Sequence, residues 1–98
     1  MVWTGRLHFT AVDRPGHPRE LVELMLRLDR VEILLDGRSA GLVDRDALRL
    51  WMARPRDPLN FDDVRMSLSP GGLVLMIVIG ERHIPLPAAI EAHLREIT

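Results

Sequence analysis

The run from Leu73 to Ile79 places seven consecutive apolar residues between a Pro-Gly-Gly turn at 70–72 and Gly80. A helix needs about 20 residues to cross a bilayer, so this run is too short for a membrane span. Its Val and Ile content and its glycine boundaries predict a strand that is covered on both faces. A chain of 98 residues has little material for covering both sides of one strand. The run therefore predicts contact with a second subunit.

Length and composition exclude several classes of protein. The length predicts a single domain spanning residues 1–98. A content of 47% hydrophobic and 28% charged residues is unlike that of disordered or membrane-embedded chains. The 13 basic and 14 acidic side chains nearly cancel, which is not typical of a nucleic-acid-binding protein.

The usage of single residue types bears on source and compartment. All basic side chains are arginine and none is lysine, a bias typical of GC-rich genomes that favours a bacterial source. The absence of cysteine excludes disulfides, thiolate catalysis and cysteine-ligated zinc. The first residues show no basic stretch followed by an apolar core, so we expect a cytoplasmic protein.

Hydrophobic periodicity predicts elements along the whole chain. Residues 3–11 alternate as a half-buried strand, and the apolar stripe from Pro18 to Leu28 predicts a helix. Asp36-Gly37 predicts a hairpin between strands at 31–35 and 39–43. Asp44 or Asp46 is expected to cap a helix that ends near residue 54, followed by strands at 64–68, 73–79 and 83–86 and a helix at 87–97.

The predicted order is β-α-β-β-α-β-β-β-α. This order favours an α+β fold with an antiparallel or mixed sheet and helices packed mainly on one face. In the central strand, Leu73, Leu75, Ile77 and Ile79 are expected to face the helices because they are the bulkier set.

The other face of the central strand is the first candidate site. It carries Val74, Met76 and Val78. An uncovered apolar sheet face marks an interface, so we predict a two-fold symmetric homodimer through these residues. The alternative is that a loop or the first strand covers this face within one subunit.

A group of arginines is the second candidate site. It comprises Arg38, Arg45, Arg49 and Arg56. Grouped guanidinium groups can bind phosphate or carboxylate bidentately. The alternative is a solvated helix face balanced by neighbouring aspartates, and such a face can also orient a protein partner.

No catalytic, metal or cofactor residues are predicted. The four histidines, at positions 8, 17, 83 and 93, lack the spacing of metal ligands. The serines lack a nucleophile-elbow motif, and no glycine loop has phosphate-binding spacing.

These patterns together predict a small non-enzymatic binding or regulatory protein that acts through protein contacts, as a homodimer and with a further protein partner. One alternative is a nucleic-acid or phosphate-ligand module that uses the arginines. The other is a small enzyme whose site carries no recognisable motif.

Overall fold

The computed structural model describes residues 2–11 and 19–98, and these form eight strands and two helices. The first half of the order is β1 Gly5–Ala11, β2 Glu20–Leu26, β3 Arg30–Leu35, β4 Arg38–Asp44 and α1 Arg45–Ala53. The second half is β5 Leu59–Phe61, β6 Val64–Leu68, β7 Leu75–Ile79, β8 Arg82–Pro85 and α2 Ala88–Ile97.

Each half folds its strands into an antiparallel meander. The first sheet has the order β1-β2-β3-β4, and the second sheet has the order β5-β6-β7-β8. Neighbours in sequence are neighbours in space, so tight turns suffice to connect the strands within most pairs. Two antiparallel sheets with two helices confirm the predicted α+β class.

The helix predicted from Pro18 to Leu28 is wrong, because this segment contains strand β2, Glu20–Leu26. Its side chains alternate with a period of two, and Val22, Leu24 and Leu26 are buried. The apolar residues of this segment fit both helical and strand spacing. The segment forms a strand because it pairs with β1 on one side and β3 on the other. Residues 12–18, which include the expected loop and His17, lie outside the described residues.

The two sheets share one hydrophobic core, which also includes residues of both helices. The sheets lie in close contact at Gly41 of β4, where an added Cβ would lie 2.9 Å from the ring of Phe61 and 3.0 Å from its carbonyl oxygen. An ion pair between Glu20 and Arg82 also joins the sheets. Helix α1 packs mainly against β3 and β4, and α2 packs against β1.

The helix ends are fixed by specific hydrogen bonds. Asp44 caps α1 as predicted, since its carboxylate accepts from the backbone N–H of Ala47 at 3.0 Å. Arg45 is buried and donates to the carbonyl oxygen of Ile97 at the end of α2. In return, Arg95 of α2 donates to the carbonyl oxygen of Met52 near the end of α1 at 2.6 Å.

The apolar run follows its predicted orientation in part. Leu75 and Ile77 are fully buried, as expected for the inward set. Leu73 instead lies in the loop before β7 with 86% of its surface exposed, and Ile79 is only half-buried. The strand begins two residues later than predicted, because the loop uses residues up to 74.

Candidate functional site

The outer face of the second sheet is built from residues that alternate with the buried ones. Val78 pairs with Arg65 on one side and His83 on the other, and Met76 pairs with Ser67 and Pro85. The backbone N–H of Ser69 donates to the carbonyl oxygen of Val74 at 2.8 Å, which extends the ladder by one row. The outer face therefore consists of three rows, to which Asn60 adds a further member beside Arg65.

An apolar strip runs along the centre of this outer face. It consists of Val74, Met76 and Val78, all half-buried, as the alternation of the apolar run predicts. The residues beside it are mostly exposed, including Arg65, His83 and Pro85. The helices make their main contacts with the first sheet instead. The strip is therefore in contact with solvent.

The charge on this outer face is one-sided. Arg65 donates from Nε to the side-chain oxygen of Asn60 at 3.0 Å, so its cation is held by a neutral amide. His83 lies in the same row, and none of the side chains in the three rows is a carboxylate. The positive charge of Arg65 thus lies at the Val78 end of the strip, and the Val74 end carries no charge.

The outer face of the first sheet differs in its charges. It carries Glu23 and Glu32 on neighbouring strands, paired with Arg6 and Arg27 respectively. The side chains of both glutamates are less than 20% exposed, so the ion pairs lie close over the sheet. Half-buried Met25 lies between Arg6 and Glu32 in the register. Carboxylates therefore interrupt this face where the other face has none.

The predicted arginine group is not brought together as one ligand site. Arg45 was predicted to contact a ligand, but it is only 4% exposed and donates to the carbonyl oxygens of Arg27 and Ile97. It lies in the first turn of α1, beneath the end of α2, so its position on the helix did not reveal its burial. Arg49 is exposed and pairs with Asp46 at 3.1 Å.

The remaining two arginines of that group are exposed and belong to different segments of the chain. Arg38 begins strand β4, and Arg56 follows the end of α1. No ion pair to either side chain occurs within the described ranges 2–11 and 19–98. They remain solvated cations on the surface.

Two of the concavities formed by the described residues bear on small-molecule binding. One of about 480 Å³ lies at the start of β1 and is lined in part by Thr4, Met25 and Leu28. The other, of about 170 Å³, lies between the helices and is lined in part by Arg49 and Arg95. Both arginines there already have carboxylate partners, Asp46 and Glu91. Among the described residues, no histidine lines either concavity.

No group of three or more histidine, aspartate or glutamate side chains within residues 2–11 and 19–98 is arranged to hold a metal ion. No helix in these ranges is long and apolar enough to cross a membrane.

Arg65 was not singled out as a site residue from the sequence, and Leu73, next to the strip, was predicted to face the helices but is exposed. Arg65 was predictable as an outward residue, because Val64, Met66 and Leu68 alternate with it. The apolar run includes Leu73 and therefore predicts that it belongs to the strand. Only the two glycines before it indicate that it lies in an exposed turn. Both glycines adopt positive φ, 94° at Gly71 and 73° at Gly72, which turns the chain before β7 begins.

Comparison with known proteins gives no match: no family model, no curated protein and no solved structure is similar to this chain.

Proposed function

We propose that this chain is a non-enzymatic binding protein that pairs with a second copy of itself through the outer face of the second sheet. The observation that carries the proposal is the solvent-accessible strip of Val74, Met76 and Val78, whose neighbours include no carboxylate. Burial of such a strip is favourable because it removes apolar area from water and leaves no anion without a partner.

The position of the charges favours a second copy with its strand running antiparallel. A two-fold axis at Met76 places Val78 of one copy over Val74 of the other. The two Arg65 side chains then lie at opposite ends of the strip, about 14 Å apart for four residues of strand. That separation exceeds the screening length of about 8 Å at physiological ionic strength, so repulsion between them is weak. Each guanidinium also keeps its hydrogen bond to Asn60.

A regulatory or accessory role in a bacterial cytoplasm completes the proposal. It is supported by the lack of cysteine and by the arginine-only basic composition. The surface left free in such a dimer includes the exposed arginines Arg38, Arg49 and Arg56, which suit contact with an acidic protein partner.

The test is the molar mass in solution, measured by sedimentation equilibrium over a concentration series. The unchanged chain is expected to reach twice the monomer mass. Met76→Glu places two carboxylates against each other at the axis, and we expect it to remain monomeric at concentrations where the unchanged chain is dimeric.

Met25→Glu is the matched control. Met25 is also a half-buried methionine on an interior strand and an outer face, but it belongs to the first sheet. We expect it to remain dimeric. A monomeric wild-type chain at every concentration would overturn the homodimer, and dissociation by both variants alike would overturn the assignment of the interface to the second sheet.

A further inference from the structure

We propose that Leu73 is an anchor residue that extends the interface beyond the second sheet and contacts the second copy. This inference rests on the proposed function, because it names a determinant of the same surface. Leu73 is 86% exposed, the most exposed of the large apolar side chains in the described ranges. It directly precedes Val74, so the strip and Leu73 form one continuous apolar track.

The size of the sheet shows why the interface needs such an extension. Four strands spaced about 4.8 Å apart, the longest of them about 17 Å for five residues, cover at most roughly 330 Å² in plan. A standard stable interface buries about 800 Å² on each partner. Contact must therefore continue past the ends of the strands, and the loop with Leu73 is the apolar continuation at the uncharged end.

The loop that carries Leu73 is held in place by its own hydrogen bonds. Ser69 and Val74 close it, since the hydroxyl of Ser69 accepts from the backbone N–H of Val74 at 3.2 Å, in addition to their backbone bond. The backbone N–H of Gly72 donates to the carbonyl oxygen of Ser69 at 2.8 Å. A loop that is already ordered loses little conformational freedom when it binds, so burial of its leucine contributes more fully to affinity.

The antiparallel arrangement determines where Leu73 lies on the second copy. An axis at Met76 relates residue 73 of one copy to residue 79 of the other. Leu73 then lies at the turn between β7 and β8, beside Gly80. A Cβ built at Gly80 meets no atom within 4 Å, so the surface above this turn is open to an incoming side chain.

The experiment compares dimer dissociation constants by sedimentation. Leu73→Ser is expected to weaken the dimer by about 100-fold, because each dimer loses two buried leucine side chains. Leu28→Ser is the matched control: Leu28 is 72% exposed and lies in the turn after β2 in the first sheet. We expect its dissociation constant to stay within about twofold of wild type, and circular dichroism checks that both variants remain folded.

A crosslinking experiment tests the contact directly, because the chain has no native cysteine. Leu73→Cys and Glu81→Cys chains are mixed and treated with a short bismaleimide, and the mixture is expected to form a heterologous crosslink that neither chain forms alone. If Met76→Glu dissociates the dimer but Leu73→Ser does not, the anchor is refuted and the proposed function stands. If neither variant affects a dimeric wild-type chain, the proposed interface itself is refuted.

Discussion

The two halves of this molecule have the same plan and different exteriors. Each half is a four-stranded antiparallel meander followed by a helix, and both contribute to one core. The outer face of the first sheet has glutamates paired with arginines, whereas the outer face of the second has a half-buried apolar strip beside Arg65.

This difference shows which residues are needed for folding and which are available for binding. The inward residues of both sheets serve the same core and are almost uniformly apolar. The outward residues do not pack in the core, and only those of the second sheet include no carboxylate. The inner faces of the two sheets are alike and the outer faces differ. The outer face of the second sheet is therefore the stronger candidate for a binding role.

The largest expected effect concerns the link between the two halves, Arg45→Met. Its guanidinium donates to two carbonyl oxygens, one from each half, at Arg27 and Ile97. Loss of these hydrogen bonds leaves two partly buried carbonyl oxygens without a donor, so we expect the free energy of unfolding to fall by about 2–4 kcal/mol. Urea denaturation of the variant and the unchanged chain measures this difference in the free energy of unfolding.

Arg95→Met is the counterpart in the second half. Arg95 has 42% side-chain exposure and donates to the carbonyl oxygen of Met52, which water can solvate more readily after the change. We expect a loss of about 1 kcal/mol. Equal losses for both variants would show that the two arginines are equivalent links.

The next effect makes the second outer face resemble the first. Val78→Glu places a carboxylate opposite Arg65. On the first sheet the comparable ion pair joins Arg6 and Glu23 diagonally, since Arg6 is opposite Met25 and Glu23 is opposite His8. We expect the dimer to weaken by about 100-fold, or about 2.7 kcal/mol, because the carboxylate must lose its water on association. Sedimentation gives the constant, and an unchanged dimer would contradict the contrast between the faces.

The reverse change tests the first outer face. The double variant Glu23→Leu with Glu32→Leu is made in the Met76→Glu chain, which the proposed interface predicts to be monomeric. It removes both carboxylates and creates a contiguous apolar patch with Met25. We expect new self-association, at least about tenfold stronger than that of the Met76→Glu chain. A chain that stays monomeric would show that the carboxylates are not what keeps this face free.

The smallest effect compares the starts of the two helices. Asp44 caps α1 with its side chain, whereas Pro87 at the start of α2 makes no side-chain cap. We expect Asp44→Ala to lower the free energy of unfolding by about 1 kcal/mol. Thermal unfolding measures this loss as a lower midpoint temperature. Pro87→Ala is expected to cost less than about 0.5 kcal/mol, and a larger cost there would indicate a role for the fixed φ of proline.

Local chemistry made much of the first half predictable. Asp36-Gly37 forms the predicted turn between β3 and β4, with positive φ of 51° and 81° as this turn requires. Asp44 caps the helix that follows it. The segment at 18–28 was not predictable in the same way, since its leucines fit both periods and only its neighbours β1 and β3 decide.

The candidate surface was predictable as a face and not as a set of charges. The alternation along Leu75–Ile79 identified Met76 and Val78, because period-two geometry alone separates the two sides of a strand. The burial of Arg45 depends on α2, whose end lies 52 residues further along the chain. Helical spacing within α1 carries no information about such a distant neighbour.

The turn at Asp62 has a consequence for aggregation. Its carboxylate accepts from the backbone N–H of Leu42 at 2.9 Å, and the N–H of Asp63 donates to the carbonyl oxygen of Ala40 at 3.2 Å. These two backbone groups lie on the side of β4 that has no neighbouring strand in its sheet. Because both groups are already hydrogen-bonded, a strand from another molecule cannot pair with them. In a chain with a net charge of −1, which has little electrostatic self-repulsion, this occupied edge helps to keep folded molecules apart.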